Sequence, residues 1–199
     1  MEIVVGNAQE LTPAVMQRIA RYRHKVFVES LGWQLRCDDG MELDQFDRPD
    51  TVYVAAQMRG DVVGTARLLP TTRPYLLGDV FPQLLNGAVP PASAEVWELS
   101  RFAATPDAAV TGGALGHLSS PLAVNVLSAS LACARARGAS HLITVSPLGV
   151  ERLLRNAGFR ARRAGVPIVA QGQHIVACLI DTASGPGTEA QDIEELALA

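Results

Sequence analysis

One unbroken helical segment, PLAVNVLSASLACARAR from Pro121 to Arg137, separates two β-rich runs: VWELSRFAA before it and HLITVS after it. Ser119, Ser120 and Pro121 open that helix with cap residues and a first-turn proline, and Gly138 stops it. HLITVS is therefore expected to run beside the earlier strand. Other strands surround the unit. TVYVAAQM and DVVGTARLL are joined by a tight Arg59-Gly60 turn, and QHIVACLID closes the series. Helical spacing also marks TPAVMQRIARYRHKVFVE, with Thr12 as cap and Pro13 in the first turn, and ERLLRNAGF, which ends near Gly158. Strands with helices before, between and after them predict a layered α/β sheet. The Pro/Gly-rich stretch from Pro70 to Pro91 reads as a loop with a short helix around Leu84. RCDDGMELDQFDRPD reads as too acidic and broken to be a core element.

The chain has 199 residues, 48% of them apolar, enough for one domain with a sizeable core. We place that domain at residues 1–182, followed by a tail at 183–199 in which SGPGTEAQD reads as a mobile linker. A net charge of −3 gives no reason to expect nucleic acid or an anionic membrane as partner. No segment is long and apolar enough for membrane insertion, and the N-terminus lacks a signal pattern. A cytoplasmic protein is expected. The three cysteines have no CxxC spacing, and His24, His117, His141 and His174 stand apart from one another, so neither a disulfide framework nor a metal site is expected.

Charge inside a strand raises the functional question. Val96, Trp97, Leu99, Phe102 and Ala103 read as buried, yet Glu98, Ser100 and Arg101 lie among them. An unpaired ion taken out of water costs several kcal/mol. Either Glu98 and Arg101 form a structural ion pair, or the strand lines a site that needs charge. Strand alternation puts Glu98 and Ser100 on one face and Arg101 on the other. If both charges serve one cleft, a β-bulge or splay is needed between them.

Further charged and aromatic residues recur at defined spacing. Arg23 and Phe27 share a helix face, Trp33 follows, Asp44 and Asp47 lie in the acidic segment, and Arg67 lies in the second strand of the hairpin. RYRHKVFVESLGW, ELDQFD, GTARLLPT and VWELSRFA together resemble the acyl-homoserine-lactone synthases, the autoinducer synthases of bacterial quorum sensing. The resemblance is carried by Arg23-x3-Phe27-x5-Trp33, Asp44-x2-Asp47, Arg67, and Glu98-x2-Arg101. It spans residues 20 to 105 strongly and continues weakly through LITVSPLGVERLLRNAGF.

That resemblance implies a three-layer αβα sandwich similar to the GCN5-type N-acetyltransferases, with a mixed central sheet. It implies an acyltransferase that joins the acyl group of an acyl-acyl-carrier-protein to the amine of S-adenosylmethionine. Lactone closure then releases methylthioadenosine. S-adenosylmethionine is a substrate, and no cofactor is implied. Glu98, Ser100 and Arg101 become the catalytic candidates, with Glu98 as general base or its water-positioning partner. Arg23, Phe27, Trp33, Asp44, Asp47 and Arg67 become the S-adenosylmethionine side, Phe27 and Trp33 offering an aromatic surface to the adenine or the sulfonium. All the charged members are expected to converge on one cleft, with Asp44 or Asp47 the expected partner of Arg101.

Phe102, Thr144, Val145 and Ser146 are candidates for the wall of an apolar acyl tunnel. For Val145, ordinary core packing is an equal reading. A threonine at the position of Thr144 is associated in the family with 3-oxo acyl chains, and a hexanoyl to octanoyl chain is the expected length class. Arg152, Arg155, Arg160, Arg162 and Arg163 form a basic cluster in an acidic chain, either a solvated helix end or a docking surface for an acidic acyl-carrier protein.

Two alternatives stand beside this reading. One is a CoA-dependent N-acetyltransferase of the same fold, for which TGGALGH (111–117) imitates a pyrophosphate-binding turn. The other is a non-catalytic small-molecule sensor, which would need no carboxylate at Glu98.

Overall fold

The protein is described by a computed structural model over residues 1–105, 120–170 and 172–186. The TGGALGH motif, His117 and most of the expected tail lie outside these residues. Strand β1 is Glu2–Gly6, and α1 (Pro13–Arg23) continues into a π-helical stretch, His24–Ser30. Strands β2 (Cys37–Asp38) and β3 (Met41–Glu42) make a small ribbon, and β4 (Val52–Met58) and β5 (Asp61–Pro70) make the hairpin. A covering arm follows, with α2 (Leu76–Val80) and a 3₁₀ turn, Pro82–Leu85, before β6 (Val96–Ala104). Helix α3 (Pro121–Ala136), β7 (His141–Pro147), α4 (Val150–Asn156), β8 (Ala161–Arg163), β9 (Ile168–Ala170) and β10 (Gln173–Asp181) complete the described chain.

Local chemistry accounts for the boundaries. The Thr12 hydroxyl accepts the Val15 N–H at 3.3 Å, and the Ser120 hydroxyl accepts the Ala123 N–H at 3.1 Å, so both helices start where their cap residues stand. Arg59 and Gly60 have φ of 54° and 89°, the positive pair that matches the twist of a two-residue hairpin. The main sheet has the order β1-β4-β5-β6-β7-β10-β8, with β9 also pairing with β10. Its pairs are antiparallel except β6 with β7, so the sheet is mixed. Helices α3 and α4 pack their apolar residues on one face around Leu68, Leu99 and Leu142. Helix α1, its π-helical continuation and the covering arm lie on the other face, around Tyr53, Ala103, Leu69 and Ile143. Three layers result.

Two irregularities in β6 open the sheet. Thr65 pairs with Ala103 and Arg67 with Ser100, so Arg101 and Phe102 together oppose Ala66 alone. This is a bulge, and Arg101 takes φ of 50° to make it. On the other side, β6 pairs with β7 only at Val96, Trp97 and Glu98. Beyond Glu98 the two strands part, which puts bulge and splay together between Glu98 and Ala103.

The acidic segment is not the exterior loop its composition suggests. Glu42 is fully buried and Phe46 is 2% exposed. Glu42, Asp44 and Asp47 turn inward because each meets an arginine there. At the other end, the last residue of the expected domain, Thr182, and Ser184 at the start of the expected tail are packed. The Thr182 hydroxyl donates to the Ala139 carbonyl at 2.8 Å, and Ser184 is buried.

Candidate active site

Four elements and one turn bring six charged side chains to one place. Arg23 comes from the last turn of α1, Glu42 from β3, Asp44 and Asp47 from the turn after it, Arg67 from β5 and Arg101 from the bulge. Arg23 donates Nε to Glu42 at 2.6 Å and its two Nη groups to Asp47 at 2.7 and 3.0 Å. Arg101 donates to Glu42 at 2.8 Å and to Asp44 at 2.8 Å. Arg67 donates to Asp44 at 2.6 Å, to Asp47 at 3.1 Å and to the Ser100 hydroxyl at 3.0 Å. The Tyr53 hydroxyl adds a bond to Asp47 at 2.9 Å. Three cations and three anions form a neutral ladder beneath the surface, with the Asp44 side chain its most open member at 19% exposure.

Electrostatics follow from that closure. Burial alone would raise Asp47, but the Arg23 and Arg67 guanidiniums hold its carboxyl well below the usual carboxylate range. Glu42 is lowered in the same way: burial works upward, and Arg101 and Arg23 outweigh it. Glu98 differs. It is fully buried, and burial pushes its carboxyl up to about 7 against the opposing pull of two amides and of Arg67 and Arg101. Its oxygens accept the N–H groups of Leu77 at 2.7 Å and Leu76 at 3.0 Å, at the start of α2. Glu98 and Arg101 are not paired with each other.

Phe27 and Trp33 stack with centroids 4.9 Å apart, and the Arg101 guanidinium lies 5.8 Å from one ring and 5.9 Å from the other. These three residues and Ser100 form one end of a cavity of about 110 Å³. Its middle runs through the gap between β6 and β7, walled by Phe102, Thr144, Val145 and Ser146, all four acyl-tunnel candidates. Its inner end is apolar: Leu127 of α3, Val150 and Leu154 of α4, and Ile180 of β10. A charged rim, an aromatic platform and an apolar passage through the sheet suit a ligand with a polar head and a hydrocarbon tail.

The profile of the autoinducer synthase family matches residues 7–187. An acyl-homoserine-lactone synthase of Acinetobacter nosocomialis is 53% identical over 182 residues, covering 91% of this chain and 100% of the relative. The chain belongs to the autoinducer synthase family. Among solved structures, TofI in a ternary complex with an inhibitor and MTA superposes with a TM-score of 0.78 at 45% identity, covering 92% of each chain. The CoA-dependent acyl-homoserine lactone synthase BjaI, solved with SAM and isopentyl-CoA, has a TM-score of 0.78 at 29% identity, covering 90% of this chain and 82% of that one. An acyl-CoA N-acyltransferase from Pseudomonas aeruginosa shares 16% identity at a TM-score of 0.58, which shows the fold alone. This autoinducer synthase is thus an acyltransferase on a sheet of the N-acyltransferase type.

In this synthase the structure brings together Arg23, Asp44, Asp47, Arg67, Ser100 and Arg101, with Phe27 and Trp33 beside them. Glu98 stands apart, at the apex where β6 and β7 separate, and is not on the cavity wall. Glu42 is the site residue that pattern reading missed. Charge counting could have found it, because three arginines converging on Asp44 and Asp47 require a third anion once Glu98 is turned toward α2. The inner residues Leu127, Val150, Leu154 and Ile180 carried no signal distinct from core packing. In the basic cluster, Arg155 and Arg163 share Glu151 at 2.9 and 2.8 Å, and Arg160 pairs with Asp181 at 3.0 Å. Among the described residues, no group of His, Cys, Asp and Glu is arranged to hold a metal ion, and no helix is long and apolar enough to cross a membrane.

Proposed function

We propose that this synthase makes an N-acyl-L-homoserine lactone from S-adenosylmethionine and an acyl thioester carried by acyl-carrier protein, in the cytoplasm. The observation that carries this reading is the cavity through the parted strands, with Arg101, Phe27 and Trp33 at its outer end and apolar residues at its inner end. The acyl tail occupies the gap between β6 and β7, its thioester carbon held near Ser100. The aromatic pair and Arg101 hold S-adenosylmethionine, so that its amine faces that carbon. The amine loses a proton and attacks; the thiol of the carrier leaves with a proton. The carboxylate of the acylated methionine moiety then displaces the sulfonium, closing the lactone and freeing methylthioadenosine.

The amine needs a base near neutral pH. Glu98, with its carboxyl near 7, has the right basicity, and it receives the proton through water because both its oxygens face backbone amides. Support for S-adenosylmethionine comes from TofI, solved with MTA, and BjaI, solved with SAM and isopentyl-CoA. Support for a carrier protein comes from Arg152, Arg155, Arg160, Arg162 and Arg163, five arginines set against Glu151 and Asp181 on an acidic chain. The BjaI likeness makes acyl-CoA the rival donor. The N-acetyltransferase alternative rests on fold likeness alone.

The deciding experiment supplies S-adenosylmethionine with octanoyl-carrier protein or octanoyl-CoA and follows lactone and methylthioadenosine by mass spectrometry. A higher kcat/KM on the carrier-protein donor is expected. Equal or better use of the CoA donor overturns the carrier-protein assignment, and absence of lactone from both overturns the reaction.

A further inference from the structure

The helix that delivers Arg23 and Phe27 changes its winding between them. Up to Arg23 it is α-helical; from His24 to Ser30 it is π-helical. Widened turns of this kind are rare and concentrate at functional sites. Here the backbone bonds Leu31 N–H to the Val26 carbonyl at 3.0 Å, five residues back, and Trp33 N–H to the Phe27 carbonyl at 2.9 Å, six residues back. Two side-chain contacts repeat the five-residue spacing. The Ser30 hydroxyl donates to the Lys25 carbonyl at 2.9 Å, and His24 Nδ1 lies 3.1 Å from Glu29 Oε1. In an α-helix, residues five apart point about 140° away from each other, so neither contact can form there.

The widening has a geometric consequence for the aromatic platform. Arg23 is clamped by Glu42 and Asp47, which fixes the helix on its N-terminal side. Rewinding the turn to α geometry would rotate everything after it by roughly 100° and shift it about 1.5 Å along the axis for the residue absorbed. Trp33 would leave the face of Phe27 and the neighbourhood of Arg101. We propose that His24, Glu29 and Ser30 are positioning residues that hold this wide turn, and that the turn sets the phase of the Phe27–Trp33 stack over the ligand end of the cavity. This rests on the reading of the stack as the S-adenosylmethionine surface.

Two variants test it. Deleting Glu29 removes the residue that the wide turn absorbs, so an ordinary α-helix through the segment leaves Trp33 in its present phase. Replacing Glu29 and Ser30 together with alanine keeps the length and removes both side-chain contacts. In a Trp97→Phe background Trp33 is the remaining tryptophan, so its emission reports the stack with or without ligand. The deletion is expected to keep the thermal midpoint, and to leave Trp33 emission and methylthioadenosine affinity by calorimetry within about twofold of the parent. The double alanine variant, whose full-length turn is free to rewind, is expected to shift Trp33 emission to the red and to raise KM for S-adenosylmethionine roughly three- to tenfold, with kcat within twofold of the parent. Ser30→Thr, which keeps the hydroxyl, should behave as the parent. If the deletion does not fold, the double variant decides. Unchanged emission and KM in the double alanine variant, or a folded deletion that loses the stack, overturn the proposal. A parent enzyme that binds no methylthioadenosine, while the emission shift persists, overturns the proposed function and leaves the turn's structural role standing.

Discussion

Arg101 and Glu42 are 59 residues apart in sequence, and their side chains meet at 2.8 Å in the interior. The contact exists because Arg101 sits in the bulge of β6 with φ of 50°, which turns its side chain to the face where β3 brings Glu42. A left-handed arginine costs roughly 1 kcal/mol or more, and the ladder of Glu42, Asp44 and the two aromatic rings offsets it.

Glu42→Gln should be among the most damaging single substitutions outside the cavity wall. It leaves Arg23 and Arg101 with less negative charge in a buried setting, for which a loss of about 3 kcal/mol is the expected scale. Urea denaturation measures it. A loss below about 1 kcal/mol would show that water replaces the carboxylate.

Glu98→Gln keeps the side-chain shape and removes the base. Acyl transfer is expected to fall about a hundredfold. In the parent, activity should rise with pH through the neighbourhood of 7, where Glu98 loses its proton; the variant's residual rate should lack that step. Near-normal turnover of the variant at neutral pH would assign Glu98 to holding α2 alone.

Stability has its own pH dependence, with opposite signs for two groups. Glu98 is raised, so its contribution is present below its ordinary value of 4.5 and is lost as pH climbs through about 7. Asp47 and Glu42 are lowered, so theirs is present above their ordinary values of 3.8 and 4.5 and is lost as pH falls below them. Thermal midpoints from pH 3 to 8 should therefore fall at both ends. Asp47→Asn should flatten the acid limb, and an acid limb identical to the parent's would contradict the ladder.

Leu127→Ala should lengthen the acyl passage at its inner end. It costs about 2–4 kcal/mol of stability, and the ratio of kcat/KM for decanoyl over hexanoyl donors should rise at least fivefold. An unchanged ratio would mean that tail length is read elsewhere.

Reversing Arg152 and Arg155 to glutamate should weaken use of acyl-carrier protein far more than use of a small acyl thioester. The difference should shrink at high salt, as screening shortens the reach of the charges. Equal losses on both donors would mark the cluster as a solvated face.

Most of this architecture was legible in the sequence. The hairpin around Arg59-Gly60, the capped helix from Ser120, and the strand QHIVACLID follow from turn chemistry, capping and β-rich composition, all local properties. The need for a bulge between Glu98 and Arg101 was legible too, because two charges three residues apart point to opposite faces of a regular strand. What was hidden depends on distant partners. β1 and β8 are short and gain their hydrogen bonds from strands that are not next to them in sequence, and β9 is a strand of only three residues. Glu42 looks like a loop residue until Arg23 and Arg101 arrive from elsewhere. The π-helical turn was hidden because its apolar pattern fits an α-helix equally well.

The inner end of the cavity is lined by buried Leu127, Leu154 and Ile180, which a hydrocarbon tail in the proposed reaction would cover. Every methylene drawn into it must be returned to water, or to another apolar host, before the next turnover. A lactone with a longer tail therefore departs more slowly even when its bond-making step is equally fast. The lipid bilayer, by accepting that tail, would act as the sink that clears the enzyme.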